Sequence, residues 1–131
     1  GATISAANAG ANVTHVDASK GMVTWAKENA VSSNIPGDKI RWLVDDCAKF
    51  VEREIRRGNT YDGIIMDPPS YGRGPKGEIW KIEDAIHPLV SKCAGLLTDK
   101  PLFFLINSYT TGFPELTGVV HGEYRSKLYC L

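Results

Sequence analysis

Long apolar runs, an excess of either charge and paired cysteines are all missing from this 131-residue sequence, and each absence removes a class of protein. The longest unbroken apolar stretch is Leu102 to Ile106, far short of the roughly 18 to 20 residues needed to cross a bilayer, so no membrane span is expected. Fifteen basic residues balance fifteen acidic ones, which removes the basic footprint of a free-standing nucleic-acid binder. If a polyanion is bound, much of the attraction must come from outside this chain. Cys47, Cys93 and Cys130 lie far apart, with no Cys-x-x-Cys pair and no histidine at ligand spacing, so neither a zinc site nor a disulfide framework is indicated. The first residues carry no secretory signal, and a reducing cytoplasm is the expected location. What remains is 43% hydrophobic and 23% charged, the composition of one folded domain over 1–131.

Short apolar runs alternate with segments of helical period, and alternation of this kind predicts an α/β fold. Helices are expected at 3–9, from Ser19 to about 31, at 47–57 and at 82–97 despite Pro88; strands are expected at 12–16, 40–44, 62–66 and 101–107. Ser70 to Gly77 reads as a loop. The tail 114–131 is poorly patterned, with Val119-Val120 and Tyr124 to Leu131 as possible edge strands.

In an open parallel sheet, ligands bind outside the carboxyl ends of the strands. Four polar clusters stand at such ends: Asp17, Asp45-Asp46, Asp67-Pro68-Pro69-Ser70-Tyr71 and Asn107-Ser108-Tyr109. A carboxylate at the first position can accept from both hydroxyls of a ribose, and equally it can cap the next helix. Asp46 or Asp45 can accept from an adenine amino group, with N-capping again the alternative. The two prolines narrow the chemistry, because they stiffen the loop and remove two backbone donors while leaving the carbonyls free to accept. Asp67 and the Pro68 carbonyl can hold a planar nitrogen in line while Tyr71 stacks on its ring.

The stretch from Val13 to Asp17, Asp45-Asp46, the run Tyr61-Asp-Gly-Ile-Ile-Met-Asp-Pro-Pro-Ser-Tyr71 and the Gly72-to-Glu78 loop together resemble the class I S-adenosylmethionine-dependent methyltransferases. More narrowly, they resemble the bacterial large-subunit ribosomal RNA branch. The resemblance covers roughly Gly1 to Phe113. It implies a Rossmann-like sheet with helices on both faces, S-adenosylmethionine as cofactor, and ribosomal RNA as substrate. It also implies residue roles. Asp17 with Ala18 and Ser19 would hold the cofactor ribose, Asp46 and Cys47 would flank adenine, and Gly1-Ala2-Thr3 would be the end of the turn that supports the methionine part. Asp67, Pro68 and Tyr71 would border the transferred methyl, and Ser70, Tyr71, Arg73 and Lys76 would meet the substrate.

The family's first strand should precede Gly1, in the middle of the sheet, and it is absent from this sequence. Its absence predicts unpaired backbone groups at the core, and hence that these residues alone neither fold stably nor bind the cofactor. An accessory RNA-binding segment is expected outside the chain. Pyrimidine carbon-5 methylation needs a thiolate at a strand-end loop, where this chain has Ser70 and Ser108, so direct transfer to nitrogen or oxygen is favoured. Cys47 reads as a small packed residue beside adenine.

Other conspicuous side chains take plainer readings. Lys49, Arg53, Arg56 and Arg57 are expected to be a solvated helix face, His15 a satisfied structural histidine, and His87 a surface group, whereas His121 carries no assignment. Trp25, Trp42 and Trp80 read as core or interface, with Trp80 also placed to cover substrate. Three rival functions remain: methylation of a small molecule or protein amide, a nicotinamide dehydrogenase, and a non-catalytic binding module. Asp-Pro-Pro-Ser argues against the dehydrogenase.

Overall fold

The computed structural model describes residues 1–74 and 76–107, together with the backbone of 127–130. Helix α1 (Ala2–Asn8) is built from small residues and ends at Gly10, whose φ of +95° is readily adopted only by glycine. Strand β1 (Asn12–Asp17) follows, then α2 (Lys20–Ser32), where the Ser19 hydroxyl caps the helix by accepting from the Met22 amide at 3.3 Å. The turn after α2 passes through Asn34 at φ 56° into β2 (Ile40–Val44). Helix α3 (Cys47–Arg56) stops before Gly58, another left-handed glycine, and β3 (Gly63–Met66) runs into the two prolines.

The stretch read as a loop after the prolines is structured. Strands β4 (Tyr71–Arg73) and β5 (Ile79–Lys81) form an antiparallel hairpin that leads straight into α4 (Ile82–Ala94). Strand β6 (Phe103–Ile106) and strand β7 (Lys127–Cys130) complete the described elements. Among the described residues, no helix is long and apolar enough to cross a membrane.

Five strands form one parallel sheet in the order β2-β1-β7-β3-β6. This corrects two expectations about the middle and the tail. The slot between β1 and β3, expected to lack its strand and to leave backbone groups unpaired, is filled by β7: Val13 pairs with Leu128 on one side and Gly63 with Leu128 on the other. The tail residues 127–130 are therefore central rather than an edge, because two open strand edges outweigh the weak patterning of the segment that fills them. Val119, Val120, Tyr124 and His121 lie outside the described residues.

Alternation along the strands separates two cores. Val16, Ile64 and Met66 face α3 and α4, where they meet Phe50, Val51, Leu89 and Cys93. On the other face Val13 and Ile40 pack with Ala6, Ala7 and Ala30 from α1 and α2. Helix α2 buries Val23 and Ala30 through this small-residue face, and Trp25 is left 59% exposed, which excludes the core half of its core-or-interface reading. The arginines of α3 are not all free in solvent: Arg53 pairs with Asp45 and Arg57 with Glu54.

Glu54 is buried, with only 1% of its surface exposed, and no sequence pattern singled it out. Its carboxylate accepts from the Tyr61 hydroxyl at 2.6 Å, Asn59 Nδ2 at 3.1 Å and Arg57 Nη1 at 3.3 Å. Burial alone would raise the carboxyl pKa, but these donors outweigh it and hold the group below its ordinary value. The same burial, with Glu54 beside it, pushes the Tyr61 hydroxyl up to about 12. The stabilisation is therefore present above the ordinary carboxylate range and lost as pH falls through the lowered folded value. Tyr61→Phe, which removes the shortest bond to the buried carboxylate and leaves Oε2 with Asn59 alone, is expected to cost about 1–3 kcal/mol of unfolding free energy at neutral pH in urea titration. An unchanged midpoint would contradict this role.

Candidate functional site

Because the five strands are parallel, the residues that follow β1, β2, β3 and β6 emerge along one edge of the sheet. Asp17 ends β1 opposite Val44, and its carbonyl accepts the Asp45 amide at 3.0 Å, which ties the first two strand ends together. Its carboxylate Oδ1 accepts from the Ser19 amide at 2.7 Å. A carboxylate has about four acceptor positions, so this turn contact leaves capacity for hydroxyl donors.

Asp45 and Asp46 differ in their partners. Asp45 forms an ion pair with Arg53 and accepts from the Asp46 amide at 2.9 Å. Asp46 is the N-cap of α3, with Oδ1 accepting from the Lys49 amide at 2.9 Å, so the capping alternative is realised there. Cys47 begins that helix, and its thiol points at the Val16 carbonyl, 3.9 Å away. Burial first, and then the charges of Asp17 and Asp46, push this thiol up to about 12. Cys93, fully buried on α4, is raised to about 12 by burial alone. Neither is a thiolate near neutral pH.

The second group gathers around the prolines. The Asn107 amide donates to the Met66 carbonyl at 2.8 Å, and Asn107 Nδ2 donates to Asp67 Oδ1 at 3.3 Å, so β6 orients the carboxylate that ends β3. Trp80 Nε1 donates to the Pro69 carbonyl at 2.7 Å, and the Ile82 amide donates to the Ser70 carbonyl at 3.1 Å. The hairpin is thereby pinned back onto the proline loop. With Pro69 engaged, the Pro68 carbonyl has no hydrogen-bond partner among the described residues, and Asp67 keeps acceptor capacity beyond its bond from Asn107. Tyr71 stands 52% exposed, with Arg73 Nε donating to its hydroxyl at 3.2 Å. Arg73 and Lys76 are both exposed, whereas Ser108 and Tyr109 lie outside the described residues.

The two groups are separated by the width of β7, which places β1 and β3 about 10 Å apart. Helix α1 returns antiparallel to β1, so its start at Gly1 opens on the same edge. Thr3 differs from its expected role: its side chain is buried and hydrogen-bonded at 2.8 Å to His15 Nδ1, not turned to the edge. His15 in turn stacks obliquely on Trp42, at 5.0 Å between ring centres, and is only half satisfied, since Nε2 has no partner among the described residues. A separate cavity of about 250 Å³, lined by Asn12, Asp38, Arg41, Glu54 and Tyr61 among others, lies at the opposite, amino ends of the strands.

No protein-family profile matches the chain. A structure of a SAM-dependent methyltransferase from Agrobacterium tumefaciens matches 83% of it with 46% identity and a TM-score of 0.77. The fold is that of the class I S-adenosylmethionine-dependent methyltransferases. Two curated relatives match the chain by sequence. A ribosomal RNA large subunit methyltransferase K/L from Legionella pneumophila is 32% identical over 108 residues, 81% of this chain. A Methanocaldococcus jannaschii protein, provisionally named a ribosomal RNA large subunit methyltransferase, is 36% identical over 76 residues, 58% of the chain. The chain spans 15% and 20% of these two relatives and 35% of the Agrobacterium protein.

The sequence carries a signal for the hairpin in two features. Tyr-Gly-Arg and Ile-Trp-Lys alternate around a glycine-rich turn, which is a hairpin pattern. The burial of His15 also has a measurable consequence. Desolvation lowers its pKa against the opposing pull of Asp17, so the folded state binds fewer protons than the unfolded state below pH 6.5. Stability is expected to fall as pH drops through this range, and His15→Gln to flatten the slope in denaturation series at pH 7.5 and 5.5. Parallel slopes would contradict the assignment.

Proposed function

We propose that this chain is the cofactor-binding part of an S-adenosylmethionine-dependent methyltransferase that acts on a nucleobase nitrogen of ribosomal RNA by direct transfer. The observation that carries the reading is the paired edge: Asp17, Asp46 and Cys47 stand on one side of β7, and Asp67, held by Asn107, stands on the other.

The residues fit the cofactor by their donor chemistry. Asp17 keeps acceptor capacity for ribose hydroxyls, Ala18 and Ser19 form the turn beside it, and Cys47 offers a neutral surface to adenine. Asp46 contributes through the start of α3, and Gly1 and Ala2 through the start of α1. Thr3 supports this edge only through His15. Bound there, the cofactor supplies a methyl group already activated on sulfur.

The protein then has to align and dehydrate. Asp67 and the Pro68 carbonyl would accept from the two N–H bonds of an exocyclic amino group and so free its lone pair to face the cofactor, with the proton displaced on methylation leaving through these acceptors to solvent, while Tyr71 would stack on the base. Ser70, Arg73 and Lys76 border the incoming strand. High thiol pKa values at Cys47 and Cys93 support direct transfer over a covalent enzyme intermediate. The relatives named for large-subunit ribosomal RNA support the substrate class.

The test is incubation of the full-length protein with labelled cofactor and ribosomes, followed by mass mapping of the modified base. A methylated nitrogen in ribosomal RNA is expected, and label confined to protein or small molecules would contradict the reading. Asp67→Ala is expected to lower turnover about 100-fold with cofactor affinity within about threefold. Equal losses in both would show that Asp67 serves binding alone.

A further inference from the structure

The β4–β5 hairpin has two unlike faces. Tyr71 pairs with Lys81, Gly72 with Trp80 and Arg73 with Ile79. Directly paired residues share a face, and faces alternate along a strand, so Tyr71, Lys81, Arg73 and Ile79 lie on one side and Gly72 and Trp80 on the other. The Trp80 side is committed. Its indole holds the Pro69 carbonyl at 2.7 Å, its ring packs against the main core, and a Cβ at Gly72 would sit 3.8 Å from the Trp80 Cβ.

The other side is left in water. All four residues are exposed, Ile79 at 58%, an unusual position for a branched apolar side chain on so short a strand. Among the described residues, neither Arg73 nor Lys81 enters an ion pair. The hairpin carries three cations and one anion in a chain whose charges balance as a whole. Glu78 folds back within the turn, where its Oε2 accepts the Lys76 amide at 2.9 Å and lies close over Gly74. Positive charge therefore dominates the outer face.

Resting on the function proposed above, we propose that this outer face seats the RNA strand flanking the methylated base. Tyr71 and Lys81 lie at the crevice end, four residues and at most about 14 Å of chain from Asp67. Arg73 and Ile79 lie farther out. A base placed over Ile79 meets an apolar surface edged by a guanidinium, and its phosphates meet Lys81 and Arg73. Single-stranded nucleic acid offers partners for all four side chains at once, bases for the Tyr71 ring and the apolar Ile79 and a phosphate for each cation.

The experiment uses the full-length protein and its ribosomal RNA substrate. Lys81→Gln is expected to raise the KM for RNA about five- to tenfold, and to reduce the slope of log affinity against log salt by about 0.7. The kcat and the cofactor dissociation constant are expected to change less than twofold. Lys81→Arg is expected to restore both KM and slope, which a purely structural effect at the start of α4 would not do. Wild-type KM and salt slope in Lys81→Gln would overturn the proposal while leaving the enzyme reading intact, as would failure of Lys81→Arg to rescue. Wild-type protein that methylates no RNA would overturn both.

Discussion

The two halves of the candidate site share an edge only because a parallel strand hydrogen-bonds to β1 and β3 at once. Strands β2 and β1 carry Asp46 and Asp17; strands β3 and β6 carry Asp67 and Asn107. Without a strand in the slot, two half-sheets would remain, each with an unpaired inner edge, and only the packing of α3 and α4 would hold one carboxylate group relative to the other. Lys127–Cys130 supplies that pairing here.

From that edge the local chemistry follows in order. The turn after β1 is held by Asp17 and Ser19, and the turn after β2 by Asp46 capping α3. The loop after β3 is held by its own prolines, by Asn107 and by Trp80. Each contact freezes a loop at the cost of one polar group and leaves others facing outward, which is how a rigid sheet presents acceptors without burying them unpaired. Charge acts in the same direction. Burial first, and then the charges of Asp17 and Asp46, keep the neighbouring Cys47 thiol protonated, so the surroundings of this edge disfavour covalent thiol chemistry.

Much of this was legible in the sequence, because it rests on local signals. Strand 40–44 matches its expected bounds, α3 is predicted to within one residue, and the polar strand ends fall where the breakers Gly58, Pro68 and Pro69 imply. What sequence could not give depends on contacts between distant segments. The place of 127–130 is set by the open edges of β1 and β3, not by its own pattern. Thr3 is drawn to His15 because residues 12 apart in sequence meet across the α1–β1 packing. Glu54 is tolerated in the core only because Tyr61, Asn59 and Arg57 converge on it from the next turn and strand. Trp25 looked apolar enough for the core, but α2 rests on the sheet through Val23 and Ala30.

The central claim is that one hollow at the carboxyl edge grips a sulfonium nucleoside. A crystal structure of the full-length protein with S-adenosylhomocysteine tests it most directly. The account predicts the ribose at Asp17, the adenine beside Cys47 and the sulfur turned toward Asp67. Ligand lodged instead at the amino-edge cavity near Asp38, Arg41 and Glu54, or carboxylates opening onto separate surfaces, would contradict it.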